Sequence, residues 1–333
     1  MLSQRTGTEL MNAAVVVTYR CNAHCQMCNT WRHPSKKDEE LSLETISKLP
    51  NNIGQCNITG GEPMLRDDIE DIVAILLTKA KLVEISTNGS MTDKIVRLAK
   101  KYPDVRIRVS IEGLGKTNDE IRGIPNGFDK ALRTMLCLKE AGVKDIGFAT
   151  VIQDANAKEL LDVFRLTRAM DIEFAQAVPH NSFYFHKYDN NIYDKELVTS
   201  QIRDLMRCFL KTKRPKLWFR AYLNRGLIDY INGSSRALTC TAGTDVFFLD
   251  PFGEIYPCNG MKESMGSLNR QDFDDIWNGS DAQKIRDLVA NCPKNCWMTG
   301  TAVPAMKRHL ASCAYWVGTN KLKLHLGKEF ALE

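Results

Sequence analysis

Six short β-branched runs alternate with longer amphipathic stretches between about residue 12 and residue 180. This alternation is typical of βα units wound around a parallel sheet. The predicted strands lie at 13–18, 55–59, 82–87, 106–111, 146–152 and 173–178. The predicted helices between them include 69–80, 92–101, 128–141 and 157–170. Because six repeats are too few for a closed eightfold barrel, we expect an α/β fold with a partial (β/α)6 barrel and ligands at the carboxyl ends of its strands.

The alternation of short β-branched runs and amphipathic stretches ends near residue 180, and we place a domain boundary there. Residues 12–180 form the predicted barrel, and residues 181–236 form a connecting segment with helices predicted at 195–211 and 217–231. Two short runs at 246–249 and 254–256 flank Asp250-Pro251-Phe252-Gly253, which predicts a β-hairpin. The hairpin belongs to a predicted small domain at 237–315, and we give the tail at 316–333 no functional role.

Composition excludes several classes of protein. The 333 residues are 44% hydrophobic and 26% charged, and no apolar run approaches the roughly 18 to 20 residues of a membrane span. The 45 basic and 40 acidic residues are mixed along the chain without a basic block, so we expect no nucleic-acid partner. The polar N-terminus lacks a secretory pattern, which predicts a cytoplasmic protein that does not associate with a membrane.

Eleven cysteines are the most informative part of the composition. A reducing cytoplasm argues against a disulfide framework, which leaves buried thiols, nucleophiles or metal ligands. Cys21, Cys25 and Cys28 stand together just after the first predicted strand. Three thiolates in such a loop can bind three corners of a 4Fe-4S cluster and leave the fourth iron open. Zinc, with His24 or His33 as a fourth ligand, is the alternative, although zinc sites usually use two separated cysteine pairs.

The spacing Cys-x3-Cys-x2-Cys after the first strand of a six-unit barrel resembles the radical S-adenosylmethionine (radical SAM) superfamily. The resemblance implies that the three cysteines hold a 4Fe-4S cluster whose open iron binds S-adenosylmethionine (SAM). It also implies that SAM is cleaved reductively to a 5′-deoxyadenosyl radical. Met27 departs from the aromatic residue that many members carry before the last cysteine.

Turns after the following strands carry further elements of that family. Gly60-Gly61-Glu62-Pro63 follows the second strand, and the resemblance implies that it binds the methionine amino group of SAM. From the residues alone, two glycines allow close backbone approach and a carboxylate accepts hydrogen bonds. The resemblance implies further contacts to SAM from later strand ends and loops, namely Ser86, Asn88, Ser110, Glu112, Arg122 and Val151. Arg122 is expected to meet the SAM carboxylate, and a surface ion pair is its alternative role.

A second group of cysteines lies around the predicted hairpin. Cys240 precedes the hairpin, Cys258 ends it, and Cys292 and Cys296 follow, so four thiolates are available for a second 4Fe-4S cluster or for zinc. The phrases at 253–259 and 265–277 are similar to the twitch domain, the shortened relative of the SPASM domain. A full SPASM domain carries more cysteines than are present here, so the resemblance implies one auxiliary 4Fe-4S cluster.

Two roles are left open by the sequence. Packing in the core is the role we favour for the remaining Cys313, and hydrogen-atom donation to a substrate radical is the alternative. The general base is not assigned, and its candidates in or near the connecting segment are His180, Tyr184, His186, Lys187 and Arg220.

These residues together predict an enzyme, a radical SAM oxidoreductase. We expect it to abstract hydrogen from a small polar metabolite such as a sugar or cyclitol, with the auxiliary cluster accepting an electron, in an oxidation (dehydrogenation) or an epimerisation. A peptide-modifying maturase is the alternative, and a zinc-stabilised scaffold or electron carrier is an alternative of another class. The expected partner besides the substrate is a reductant such as flavodoxin or ferredoxin.

Overall fold

The structure, a computed structural model, describes residues 10–332. Within that range the strands are β1 (Met11–Val16), β2 (Ile53–Thr59), β3 (Ala80–Thr87), β4 (Arg106–Ser110), β5 (Ile146–Val151), β6 (Glu173–Ala177), β7 (Val246–Leu249), β8 (Glu254–Tyr256) and β9 (Gly266–Ser267). Each predicted strand is present, and no end differs from the prediction by more than two residues. The alternation of apolar and polar residues was therefore a reliable guide to strand position.

The helices of the same range are α1 (Leu43–Ser47), α2 (Ile69–Lys79), α3 (Thr92–Lys101), α4 (Gly115–Arg122), α5 (Gly127–Glu140), α6 (Leu160–Ala169), α7 (Lys195–Lys211), α8 (Pro215–Asn232), α9 (Phe273–Asn278), α10 (Ser280–Ala290), α11 (Thr299–Arg308) and α12 (Leu310–His325). Local chemistry sets several ends: the Asp194 carboxylate caps α7, Pro215 opens α8, and Gly233 ends α8 at φ +77°. No helix in the described range is both long enough and apolar enough to span a bilayer.

One continuous sheet organises the molecule, in the strand order β6-β5-β4-β3-β2-β1-β7-β8-β9. The strands from β6 through β1 to β7 are parallel, and β8 and β9 are antiparallel additions at the β7 edge. The partial six-unit barrel is confirmed. The hairpin strand β7 pairs directly with β1, with Ala14 opposite Phe248, so the barrel sheet continues into the cysteine-bearing hairpin.

The two faces of this sheet differ in chemistry because side chains alternate along each strand. One face is apolar, and its residues are fully buried beneath the helices, as at Val15, Ile58, Ile85, Val109 and Phe148. The other face is partly exposed and carries small or polar side chains, which include Asn57, Ser86, Ser110, Ala149 and Ala175. The second face is the inner surface of the open barrel, and we call it the inner face.

The inner face is divided into an aromatic part and a polar part. Phe248 of β7 packs against Tyr184 of the connecting segment with ring centroids 5.1 Å apart, and Phe183 packs against Tyr256 of β8 at 4.8 Å. Residues of the connecting segment therefore cover the inner face near β7 and β8. The part formed by β3 to β6 is left for a ligand.

The C-terminal segment is helical where the sequence predicted only a tail. Helix α12 runs without a break from Leu310 to His325, and Trp316 and Val317 are buried on its inner side. The helix packs against α7 and α8, and the Trp316 ring meets Tyr222 of α8 edge-on at 5.5 Å. The segment after residue 315 thus belongs to the packed structure.

Candidate active site

The three cysteines 21, 25 and 28 lie on a loop that leaves β1 and rests against the end of α4. The backbone N–H of His24 donates to the carbonyl of Arg122 at 2.9 Å, and that of Gln26 donates to the carbonyl of Ile121 at 2.9 Å. Gly123 follows with φ +60°, and a Cβ there would lie 2.8 Å from the His24 carbonyl oxygen. Helix α4 thus ends in a glycine because the cysteine loop packs directly against its C-terminus.

The surroundings of these thiols combine burial with a nearby cation. Burial raises the pKa of Cys21 to about 12 and raises that of Cys25, while the charge of Arg122 acts to lower both. Backbone N–H groups approach two of the sulfurs, from Ala23 to Cys21 and from Thr30 to Cys28, each at 3.4 Å. Metal ligation requires thiolates, and at Cys21 the Ala23 donor and the Arg122 charge oppose the effect of burial on the pKa.

The Gly60-Gly61-Glu62-Pro63 turn packs against the same loop. The Gly61 N–H donates to the Thr18 carbonyl at 2.8 Å, and the Glu62 N–H donates to the Arg20 carbonyl at 2.8 Å. A Cβ on Gly61 would lie 2.2 Å from the Arg20 carbonyl oxygen. The sequence explained these glycines by close approach to a ligand, whereas here they allow close approach of two loops of the chain itself. The turn and the cysteine loop therefore form one unit.

Glu62 connects this unit to the end of β3. Its buried carboxylate accepts hydrogen bonds from the Asn88 N–H at 2.7 Å, the Thr87 hydroxyl at 2.7 Å and the Met64 N–H at 3.1 Å. Burial raises its pKa, and these three donors oppose that shift. Pro63 begins the short 3-10 turn that follows. Three donors from the chain hold Glu62, so its first role here is to organise the loops.

Two asparagines complete the connection between β3 and the cysteine loop. The Asn88 side-chain N–H donates to the Asn22 side-chain oxygen at 2.7 Å, and Asn22 donates in turn to Ser90 at 2.9 Å. Ser86 donates to Asn57 of β2 at 3.0 Å on the inner face. Sequence reasoning missed Asn22, although its place directly after Cys21 was a signal that could have drawn attention to it.

Glu112 and Arg122 form a buried ion pair close to the cysteine loop. The guanidinium NH1 donates to one Glu112 carboxylate oxygen at 2.8 Å, and the Val151 N–H donates to the other at 2.7 Å. The Nε–H of Arg122 is buried and has no hydrogen-bond partner among residues 10–332. A surface ion pair is thus not the role of Arg122, and one charged donor is available to an anionic ligand. Ser110 lies at the end of β4 on the inner face, partly exposed.

The connecting segment supplies contacts that the sequence did not reveal. Residues 182–187, which we call the strap, close on themselves through a bridge between Ser182 and Lys187. The Tyr184 hydroxyl donates to the Gly60 carbonyl at 2.7 Å. The Asn29 N–H donates to the Phe185 carbonyl at 2.8 Å. The strap thus joins the cysteine loop and the Gly60 turn, and no local sequence pattern predicts such long-range contacts.

The five candidates for the general base have different surroundings. Lys187 pairs with Asp189 at 2.8 Å and Arg220 pairs with Glu173 at 2.9 Å, so both cations have carboxylate partners. The Tyr184 hydroxyl is engaged in its hydrogen bond to the Gly60 carbonyl. His186 lies against the His33 ring at a centroid distance of 4.3 Å.

His180 is the more deeply buried of the two histidine candidates, although the His186 Nε2 likewise lacks a partner among residues 10–332. His180 follows β6, is 6% exposed and stacks on Tyr230 with ring centroids 4.4 Å apart. Its Nδ1 lies 2.7 Å from the Val178 carbonyl oxygen, which can only accept, so Nδ1 carries the proton. Its buried Nε2 has no partner in the described part of the chain. Burial lowers its pKa to about 4, so the imidazole is neutral with a free lone pair on Nε2.

The second cysteine group meets at a single cavity. Cys240, Cys258, Cys292 and Cys296 all line a space of about 300 Å³, although they come from segments before β7, after β8, after α10 and before α11. Within residues 10–332, no three Cys, His, Asp or Glu side chains converge where a single metal ion would bind. Burial raises the pKa of Cys258 to about 12 and also raises that of Cys296. The donor set, four thiols and no carboxylate, suits an iron–sulfur cluster.

Cys313 lies apart from both groups. It is fully buried on α12, and its thiol points to the Met306 carbonyl oxygen at 3.8 Å. It does not line the four-cysteine cavity. This position agrees with a packing residue, and hydrogen-atom donation stays a prediction.

Comparisons with known proteins agree with this arrangement. The family model described as the radical SAM superfamily matches residues 15–167, and the SPASM model, described as an iron-sulfur cluster-binding domain, matches residues 240–298. The Fe-coproporphyrin III synthase of Methanosarcina barkeri is 28% identical over 209 residues, which are 60% of this chain and 50% of that protein. This chain therefore spans about half the length of that relative.

Two further relatives are matched over more of their length. The AdoMet-dependent heme synthase of the same organism is 24% identical over 298 residues, 81% of this chain and 83% of that protein. The sporulation killing factor maturation protein SkfB of Bacillus subtilis is 23% identical over 294 residues, 85% of this chain and 68% of that protein.

A solved structure, native anSMEcpe with bound AdoMet and Kp18Cys peptide, has the same fold, with a TM-score of 0.62 and 16% identity over 84% of this chain and 83% of that chain. The radical SAM family binds a 4Fe-4S cluster and SAM, and the SPASM family binds additional iron–sulfur clusters. The three cysteines after β1 and the four-cysteine cavity lie in the regions that these two families match. The chain contains a radical SAM domain at residues 15–167 and a C-terminal SPASM-type iron–sulfur domain at residues 240–298.

Proposed function

We propose that this radical SAM enzyme oxidises an organic substrate by removing a hydrogen atom, a second electron and a proton. When bound, the barrel cluster and SAM supply a 5′-deoxyadenosyl radical that takes the hydrogen atom. We assign Cys21, Cys25 and Cys28 to the cluster, since they share one loop at the carboxyl end of β1.

The residues around that loop are suited to bind SAM. Arg122 offers a buried Nε–H without a partner in residues 10–332, and we propose that this donor meets the SAM carboxylate. The turn of Gly60, Gly61, Glu62 and Pro63 packs against the cysteine loop, and we propose that this turn receives the methionine ammonium of SAM. Glu62 and Asn88 hold this turn in place. Val151, Ser86 and Ser110 lie at the ends of neighbouring strands and complete the proposed SAM contacts.

The observation that carries the proposed oxidation is the cavity shared by Cys240, Cys258, Cys292 and Cys296. Four cysteines ligate a cubane fully, so it has no open iron for substrate and is suited to electron transfer. A substrate radical loses its second electron readily when such an acceptor is near. We propose that a cluster held by these four cysteines would accept this electron, and that a reductant such as flavodoxin or ferredoxin would supply the electron for SAM cleavage.

The inner face is the proposed substrate site. Its β3 to β6 part presents polar and small side chains, among them Ser86, Ser110, Ala149 and Ala175, and these are partly exposed. Polar side chains on a concave surface favour a polar substrate. His180 lies beyond the end of β6, and its buried, unpartnered Nε2 is the group that we propose to take the proton. A small polar metabolite is the substrate class that this surface favours.

A peptide substrate is the second candidate, and the comparisons favour it. A relative matched over 85% of this chain is a maturation protein of a killing factor, and a solved structure of the same fold was determined with a bound peptide. Two tyrosines near the strap, Tyr188 and Tyr193, are 71% and 81% exposed and offer aromatic surface to an extended chain. A tetrapyrrole of the kind named for two relatives is a further compound to test.

The first test measures iron and labile sulfide per chain after anaerobic reconstitution. The wild-type chain and a variant with Cys21, Cys25 and Cys28 all changed to Ala are compared. We expect about eight irons per chain to fall to about four, as for two cubanes of which one survives. The variant is expected to form no 5′-deoxyadenosine. Cleavage of SAM by this variant, or zinc in place of iron at the other site, would contradict the proposal, and the zinc result would support a structural scaffold.

The second test identifies the substrate class. The reconstituted enzyme is given SAM and dithionite with aminocyclitols and sugars, with cysteine-containing peptides, or with iron coproporphyrin III. 5′-Deoxyadenosine and the substrate mass are then followed. Substrate-dependent loss of two hydrogens from a sugar or cyclitol supports the first candidate, and modification confined to peptides replaces it with the second. We propose a cytoplasmic location, where reducing conditions keep cysteines available as cluster ligands.

A further inference from the structure

The lining of the four-cysteine cavity is unusual in its charge. Besides the four cysteines, its residues include two cations, Arg236 and Lys294, and no carboxylate. No Asp or Glu among residues 10–332 forms an ion pair with either cation. A cubane held by four thiolates has a net negative charge, and this charge grows when the cubane takes up an electron. Cations at such a site that have no carboxylate partner therefore stabilise the negative charge of the cluster.

Arg236 is fixed in position by contacts to three segments of the auxiliary domain. Its guanidinium donates to the carbonyls of Leu238 at 2.8 Å, Cys296 at 2.6 Å and Thr301 at 3.2 Å. It also lies over the Trp297 ring at 5.1 Å. The Trp297 side chain is 1% exposed. Every acceptor of Arg236 is a neutral carbonyl, so its positive charge is not cancelled by the chain.

Lys294 is held less firmly. Its ammonium donates to the Gly260 carbonyl at 2.6 Å, which joins the loop between Cys292 and Cys296 to the turn after Cys258. The side chain is exposed, so water screens its charge more than that of the half-buried Arg236. Of the two cations, Arg236 is therefore the one with the stronger field at the cavity.

We propose that Arg236, assisted by Lys294, is a positioning and charge-compensating residue of the auxiliary cluster that raises its reduction potential. The inference rests on the auxiliary cluster of the proposed function. A fixed positive charge stabilises the reduced cluster more than the oxidised one, because reduction adds a negative charge beside it. A higher reduction potential favours electron transfer from a substrate radical to the cluster, and oxidation of the substrate requires transfer in this direction.

The test is a redox titration of the auxiliary cluster in the 333-residue chain, with the EPR signal of the reduced cluster as the readout. Changing Cys21, Cys25 and Cys28 to Ala in the same chain assigns the signal to the auxiliary cluster. Arg236→Gln is expected to move the midpoint potential to a more negative value, and Lys294→Gln to move it less in the same direction. Arg236→Lys keeps the charge and is expected to keep the potential near that of the parent. No substrate is needed.

The matched control is Lys130→Gln. Lys130 also donates to a backbone carbonyl, that of Pro125 at 3.0 Å, but it lies on α5 of the barrel. The substitution removes the same net charge and is expected to leave the potential unchanged. A shift of equal size in Lys130→Gln would overturn the proposal, because it would show an effect of overall charge.

Iron content separates the remaining outcomes. An Arg236→Gln chain that keeps its auxiliary iron with an unshifted potential overturns the proposal. If Arg236→Gln loses the auxiliary cluster, Lys294→Gln becomes the deciding variant. A more negative midpoint potential in Lys294→Gln supports charge compensation, and an unshifted midpoint potential contradicts it. Absence of iron from the auxiliary site of the parent chain would instead refute the proposed function, so the two failures are distinguishable.

Discussion

The Arg122 guanidinium donates to the Glu112 carboxylate over 2.8 Å, and both side chains are buried beside the cysteine loop. Burial acts to lower the pKa of Arg122, but its anionic surroundings, Glu112 among them, raise that pKa overall, so the guanidinium stays charged. The pair therefore places a permanent cation next to the proposed barrel cluster. A buried cation of this kind depends on its partner, because an unpaired charge in the interior is costly.

Glu112→Ala removes that partner. We expect the free energy of unfolding to fall by about 3–5 kcal/mol, since a buried charge is left uncompensated. The double variant Glu112→Ala/Arg122→Ala is expected to lose less than the sum of the two single variants. Urea unfolding followed by circular dichroism measures all four chains under one condition. Strict additivity of the two losses would show that the two side chains do not act as a pair.

Gly61→Ala tests the close contact between the Gly60 turn and the cysteine loop. A Cβ 2.2 Å from the Arg20 carbonyl oxygen forces the loops apart, so we expect the barrel cluster to be lost while the auxiliary iron is retained. Iron per chain after reconstitution is the measurement. Gly318→Ala is the control, because a Cβ there meets nothing within 4 Å. It lies in the middle of α12, where alanine is favoured by up to about 1 kcal/mol. Full iron content in Gly61→Ala would contradict the contact.

Tyr184→Phe removes only the hydroxyl that bonds the strap to the Gly60 carbonyl. We expect the free energy of unfolding to fall by about 1 kcal/mol, the usual net value of one such hydrogen bond. The matched control is Tyr193→Phe, since Tyr193 is 81% exposed and its hydroxyl faces water. Chemical denaturation of the two variants gives the comparison. Equal stability of both variants would mean that the strap does not depend on this bond.

His180→Gln is expected to change how stability depends on pH. Burial lowers the pKa of His180 to about 4 in the native state, whereas an unfolded histidine titrates near 6.5. Between these values the unfolded chain binds the extra proton, so stability falls as the pH drops from about 6.5 to about 4. The integrated effect is about 3 kcal/mol and is absent from His180→Gln.

The measurement for this prediction is the difference in unfolding free energy between His180→Gln and the wild type at pH 7.5, 6 and 5. The difference should move in favour of the variant as the pH falls. His325→Gln is the control, because His325 is exposed on α12. A difference that stays constant with pH would mean that the pKa of His180 is the same in the native and unfolded states.

Local patterns in the sequence predicted the positions of the strands closely. The periodicity of apolar residues located β1 to β8 to within two residues, and Asp250-Pro251-Phe252-Gly253 marked the turn between β7 and β8. The spacing of Cys21, Cys25 and Cys28 indicated the cluster before any contact was known. These features depend on residues close together in the chain, so a one-dimensional pattern contains them.

The sequence failed where the contact is between distant residues. Helix α12 appeared only as a tail, because its burial depends on α7 and α8, which lie far earlier in the chain. The strap bond from Tyr184 to Gly60 joins residues 124 positions apart. The pairing of Asn22 with Asn88 spans 66 positions. Each of these contacts involves a residue type that is common in loops and has no local signal of its partner.

The sequence by itself thus determined the fold class, the two cysteine groups and the family of the chain, because strand periodicity and ligand spacing are local properties. The tertiary structure decided how the two groups are related. It joined β7 to β1 in one sheet, gathered four cysteines from three segments around one cavity, and placed Arg236 in its wall. It also showed that Gly61 is needed for a contact within the chain. Non-local pairing and packing cause all of these features, and no short stretch of residues records them.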